Sequence, residues 1–204
     1  MQLETLFSFI ATSVLLTLMP GPDIIYVLIQ SVSNGKKYGI VTALGLVTGI
    51  IIHTTLVAFG VSELLKQNEK LFLLIKIFGA CYLFYLAYKV HQSSATISIN
   101  NKVEKLPLMG LFKKGFFMNV LNPKVSIFFL AFFPAFINTS SPNTVQQIYL
   151  LGFVFMVQAF FVFSVVSIVA DKMTLMLRNN PSFDKRIKII QVILFIGIGL
   201  LILI

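Results

Sequence analysis

Apolar stretches of similar length alternate with short polar ones along the 204 residues. Six runs stand out, at about 5–29, 39–62, 71–90, 109–137, 147–170 and 187–204. Each approaches the roughly 20 residues that a helix needs to cross about 30 Å of hydrocarbon. The pattern predicts an all-α integral membrane protein with six transmembrane helices. The fourth run is over-long, with room for a helix that starts in the interface. The sixth carries Lys188 and Gln191 in its first turns, then runs from Val192 to Ile204 interrupted only by Gly197 and Gly199.

Two runs are broken from within. Pro20-Gly21-Pro22-Asp23 lies inside the first, and Asn122-Pro123-Lys124 inside the fourth. Prolines remove backbone donors and bend or break a helix, so the first and fourth helices are expected to be broken at these motifs. Matching Pro22 to Pro123, 101 residues later, sets Asp23 against Lys124. Six spans divide into two sets of three, and three is odd, so the halves insert in opposite directions as a 3+3 inverted repeat. The chain then reads as a single membrane domain over 1–204: a first half at about 1–90, a polar linker at about 91–108, and a second half at about 109–204.

The linkers carry the polar signals. Ser31 to Tyr38 contains the turn signal Asn34-Gly35, His91 to Leu106 is rich in Ser, Asn and Lys, and Asp171 to Arg186 turns at Asn179-Asn180-Pro181. Twelve of the sixteen Lys and Arg residues fall on or beside the first, third and fifth linkers. The positive-inside rule therefore makes those linkers cytoplasmic and puts both chain termini outside.

Composition agrees with the pattern. The chain is 57% hydrophobic and 11% charged, against about 25% charged in an average soluble domain. The net charge of +9 does not point to nucleic acid, because the basic residues sit in short loops rather than on one face. Cys81 is the only cysteine, which excludes an internal disulfide or a CxxC pair; with only His53 and His91 beside it, a Cys/His metal cluster lacks material. The acid at Glu4 does not fit a cleavable signal peptide.

Candidate chemistry gathers at the two breaks. A broken helix inside a bilayer exposes backbone amides and carbonyls, and an ionisable residue there must face protein or water. Pro22 and Pro123 fix the turns, Gly21 permits close backbone approach, and Asn122 offers an amide for a ligand or for freed backbone groups. Asp23 suits an α-ammonium, and Lys124 with free helix N-terminal amides suits an α-carboxylate. A small zwitterion fits this pair; mutual neutralisation of Asp23 and Lys124 is the competing reading, and a ligand that displaces the ion pair reconciles the two. His53, one turn beyond Gly45-Leu46-Val47-Thr48-Gly49, is open between a packing role and a proton relay, with Gln158 its weaker analogue in the fifth span. The GxxxG glycines read as helix packing, within one chain or between copies in a homo-oligomer. No catalytic motif and no phosphate-cradling loop occurs, so no cofactor is expected and an ion gradient is the expected energy source.

Pro20-Gly21-Pro22-Asp23 followed by Ser31 to Gly39, then Ala43-Leu44-Gly45, His53, Ile75 to Leu83, and Phe112 to Pro134 with Leu121-Asn122-Pro123-Lys124, resembles the lysine exporter / homoserine-threonine resistance family of amino-acid efflux proteins. The resemblance covers nearly the whole chain. It implies a six-span transporter of the bacterial inner membrane that exports amino acids or derivatives of the threonine, homoserine, leucine or lysine type, driven by protons. Where Asp23 stands, the family carries either Asp or Asn, so the resemblance does not make this residue a universal proton carrier. Divalent metal export is the alternative function, and a membrane enzyme or redox carrier a more distant one.

Overall fold

The computed structural model describes residues 3–19, 21–61, 69–92, 106–138, 142–172 and 181–203. Pro20 and most of the polar linker read at 91–108 lie outside the described residues. Among the described residues every regular element is helical. They are α1 (Leu3–Leu18), α2 (Pro22–Asn34), α3 (Lys36–Leu56), α4 (Glu69–Gln92), α5 (Leu108–Val120), α6 (Pro123–Ile127), α7 (Thr144–Lys172) and α8 (Pro181–Leu203). A wider helical turn, Val57–Val61, extends α3, and Phe128–Phe132 followed by the tighter turn Phe133–Phe136 extends α6.

Three stretches, Lys36–Gly60, Leu73–Gln92 and Thr144–Ala170, are long and apolar enough to cross a membrane alone. Two bent pairs reach that length together: α1 with α2, at 60°, and α5 with Pro123–Phe136, at 45°. The last helix contributes the shorter apolar stretch Val192–Leu203. Large apolar side chains face outward along these helices, with Phe7, Phe59, Phe78, Phe153 and Phe161 each 62–73% exposed. Such a surface suits lipid and would be a liability in water. This is a multi-pass membrane protein.

Two linkers are shorter than the hydropathy pattern suggests. The turn falls at the Asn34-Gly35 signal, but the rest of Ser31 to Tyr38 is helical: α2 continues through Asn34 and α3 begins at Lys36, with Gly35 alone between them. Gly35 has φ 97°, a left-handed value that a residue without Cβ adopts freely, so one residue turns the chain. The fifth linker likewise ends early, because Pro181 opens α8 six residues before the apolar run begins; a proline's fixed φ and missing N–H suit a first helical position.

Side-chain contacts fix the helix directions. On α3, Gly45 meets Phe112, Gly49 meets Phe116, and His53 meets Asn119, so α3 and α5 run parallel. Gly39 against Ser167 and Thr54 against Gly152 make α3 antiparallel to α7. Phe9–Phe155 and Thr17–Gln158 make α1 parallel to α7, and α4 packs along α8. The GxxxG glycines thus serve a contact inside the chain. A Cβ at Gly45 would stand 2.0 Å from the Phe112 carbonyl oxygen, and one at Gly115 2.4 Å from that of Thr42.

Candidate functional site

The two bends meet at the centre of the bundle, where α2 and α6 both begin with proline. At the first helical position proline's missing donor is no loss, and its ring starts a helix in a new direction. Asp23 then falls in the first turn of α2 and Lys124 in the first turn of α6. Their side chains form an ion pair, Lys124 Nζ lying 3.0 Å from Asp23 Oδ2 and 3.1 Å from Oδ1. Both residues are 3% exposed.

The ammonium has further partners. Lys124 Nζ donates to the carbonyls of Leu16 (3.3 Å) and Met19 (3.1 Å) at the C-terminal end of α1. A cation is favoured there, where helix carbonyls lack amide partners. Asn122 caps α6, its Oδ1 accepting from the Lys124 amide at 3.0 Å. Gly21 stands beside the pair: a Cβ there would lie 2.6 Å from Asp23 Oδ1 and 3.1 Å from Lys124 Nζ, so only glycine leaves the ion pair undisturbed. The structure therefore brings Gly21, Pro22, Asp23, Asn122, Pro123 and Lys124 to one place.

His53 belongs to the neighbouring layer. Its Nε2 lies 3.2 Å from the Asn119 carbonyl, and its ring stacks on Phe129 with centroids 5.5 Å apart. A carbonyl only accepts, so Nε2 carries the proton in this contact. Asn119 is where the α3–α5 contact reaches the break. Gln158 makes a similar contact in the other half, its Nε2 donating to Thr17 Oγ1 at 3.1 Å near the end of α1.

Several participants carry no obvious side-chain signal. Leu16 and Met19 act through backbone carbonyls, and Asn119 and Thr17 look like ordinary polar interruptions of apolar runs. One rule finds part of the set: a carbonyl four residues before a proline lacks its helical donor, and Leu16 stands four before Pro20, Asn119 four before Pro123. Two buried polar atoms at the second break have no hydrogen-bond partner, Asn119 Oδ1 and Asn122 Nδ2. Among the described residues, no three His, Cys, Asp or Glu side chains gather as metal ligands would.

Comparison with known proteins points to efflux proteins. The chain is 32% identical over 150 residues to a homoserine/homoserine lactone efflux protein of Salmonella typhimurium, covering 74% of this chain and 73% of that protein. It is 31% identical over 147 residues to a leucine efflux protein of Salmonella choleraesuis, covering 72% and 69% respectively. No solved structure matches it. The family model for LysE type translocators matches residues 14–204. With two bent helices meeting at a buried ion pair and a family match over almost its whole length, the chain belongs to the LysE type translocators and is a transporter rather than an enzyme.

Proposed function

We propose that this protein is a secondary transporter that exports an amino acid or a close derivative across the bacterial inner membrane, driven by the proton gradient. The observation that carries the reading is the Asp23–Lys124 ion pair, buried where two bent helices meet. Opposite charges held a few ångströms apart match the ammonium and carboxylate of an α-amino acid. Asp23 is the ammonium ligand and candidate proton site, Lys124 the carboxylate ligand, and Asn122 a neutral partner. Gly21, Pro22 and Pro123 hold the breaks open, and His53 supports the second break through Asn119. The efflux of leucine and of homoserine or its lactone by relatives makes neutral amino acids the first cargo to test.

The architecture of this reading is six spans in a 3+3 inverted repeat, with α1–α2 and α5–α6 as the broken first and fourth spans. Helix directions support it. Exchanging the halves carries the parallel pair α3–α5 onto the parallel pair α7–α1, and maps α3–α7 and α4–α8 onto themselves. The Gln158–Thr17 and His53–Asn119 contacts then become counterparts. Orientation follows with basic linkers inside and both termini outside. In support, Ser167 near the end of α7 donates to the Lys36 carbonyl at the start of α3, which sets the basic start of α3 at one end of the bundle.

The test is amino-acid profiling of the medium from overexpressing and deletion strains. Overexpression is expected to raise extracellular leucine or homoserine, and Asp23→Asn to abolish the rise at normal membrane levels. Identical profiles for the overexpressing and deletion strains would sink the export reading; wild-type efflux by Asp23→Asn would sink the site.

A further inference from the structure

We propose that the Lys124 ammonium is a tethered stand-in for the cargo's own ammonium. The Asp23 carboxylate with the Leu16 and Met19 carbonyls forms a primary-ammonium site, filled by Lys124 in the empty carrier and by cargo in the loaded one. This rests on the amino-acid exporter reading of the same site.

A primary ammonium has three N–H donors and no acceptor. Lys124 Nζ finds acceptors on three sides: the carboxylate at 3.0 and 3.1 Å, Met19 O at 3.1 Å and Leu16 O at 3.3 Å. This cradle does not depend on lysine as such. Pro20 has no N–H to give Leu16 O, and α1 ends at Leu18, so these acceptors arise from the first break itself. The occupant comes from the other half of the chain, 108 residues from Leu16. An α-amino acid presents the same –NH3+ head on a branched carbon. Gly21 accommodates the branch, because it sets no Cβ against Nζ and Cε of the present occupant.

Displacement keeps the charges matched. When a cargo ammonium takes the cradle, the Lys124 head is released and pairs with the cargo carboxylate, so neither buried charge is left alone. When the cargo leaves, Lys124 returns and fills the site. The lysine thus competes with the ammonium and attracts the carboxylate, which favours release as well as binding. The cradle also sets a chemical requirement. Each N-methyl group removes a donor and strands an acceptor, so the cargo must carry a free primary ammonium.

The experiment uses 3-methylbutylammonium, an amine with no carboxylate, and its N,N,N-trimethyl analogue. Calorimetric titration is made against the full-length protein in lipid nanodiscs. The unaltered protein is expected to bind the primary amine weakly, because Lys124 occupies the cradle. Lys124→Met should bind it about tenfold or more tightly, the scale of one unpaired buried acceptor, with no gain for the trimethyl analogue. A lysine that merely braces the fold predicts equal or weaker binding in Lys124→Met, and that result overturns the proposal. Should Lys124→Met fail to fold, the unaltered protein still decides: preference for the primary amine supports the cradle, and indifference to methylation refutes it. The outcomes separate from the exporter reading. Amine binding as expected with an unchanged medium profile sinks the export function alone; export without amine preference sinks the cradle alone.

Discussion

A proline at position i leaves the carbonyl at i−4 without its helical donor. In this chain the carbonyls that Pro20 and Pro123 free find side-chain donors from distant helices, Leu16 from Lys124 and Asn119 from His53. The second contact makes a prediction at the scale of one residue. The Asn119 carbonyl also accepts from the Asn122 amide at 2.9 Å, so losing His53 removes one of two bonds. His53→Leu is expected to lower stability by about 1 kcal/mol through that bond, and His53→Gln, which can still donate, by less. Thermal unfolding in detergent checks this; coincident melting of the two variants would show that the imidazole contributes packing alone. Much of the site was legible at this scale. Asp23, Asn122 and Lys124 stand out because a polar or charged residue beside a proline is costly inside an apolar run. The carbonyls of Leu16 and Met19 were not, because a backbone acceptor carries no side-chain label and its partner lies across the fold.

At the scale of elements, hydropathy marks the helices but not their neighbours. The run at 39–62 corresponds to α3 and its terminal turn, and the run at 109–137 to α5 and α6 with their extensions. GxxxG announces close approach without naming a partner; only the structure makes that partner α5, itself supplying Gly115. The Ser31 to Tyr38 linker is shorter than its polarity suggests for a related reason. Its polar residues signal a loop, yet Ser31 hydrogen-bonds Val27 O within α2 and lies 2.8 Å from the hydroxyl of Ser167, so its polarity is used inside the protein. The α3–α5 contact can be probed with two glycines. Gly115→Ala would press a methyl group against backbone atoms of α3, Thr42 O at 2.4 Å and Leu46 N at 3.1 Å, and should cost about 1–3 kcal/mol. Gly197→Ala meets nothing within 4 Å and is the matched control. A lower melting temperature for Gly115→Ala alone is expected; equal temperatures would mean that the helices separate at little cost.

Seen whole, the described residues make one set of contacts on each side of the central pair. At the end that gathers Lys36 and Ser167, the Ser31 hydroxyl lies 2.8 Å from that of Ser167, which donates to Lys36 O at 2.9 Å. Toward the other end, Phe9, Phe128, Phe129, Phe133, Phe136 and Phe155 pack ring against ring. If the proposed exporter works by alternating access, the serine contact and the aromatic contact are the ones to open in turn.

The central pair has an electrical consequence. On the proposed reading Asp23 and Lys124 sum to zero, so this pair carries no net charge through the membrane field when the empty carrier turns over. A zwitterionic cargo also adds none. Moving one elementary charge through 100 mV is worth about 2.3 kcal/mol, so under the proposed proton coupling any voltage dependence that remains reports the coupling ion. In vesicles at set potentials, leucine-for-leucine exchange should stay level across 100 mV. Net efflux should steepen only to the extent that a proton rides the return step. A voltage-dependent exchange would mean that the pair is not neutral during transport; a level one makes the membrane potential a counter of protons.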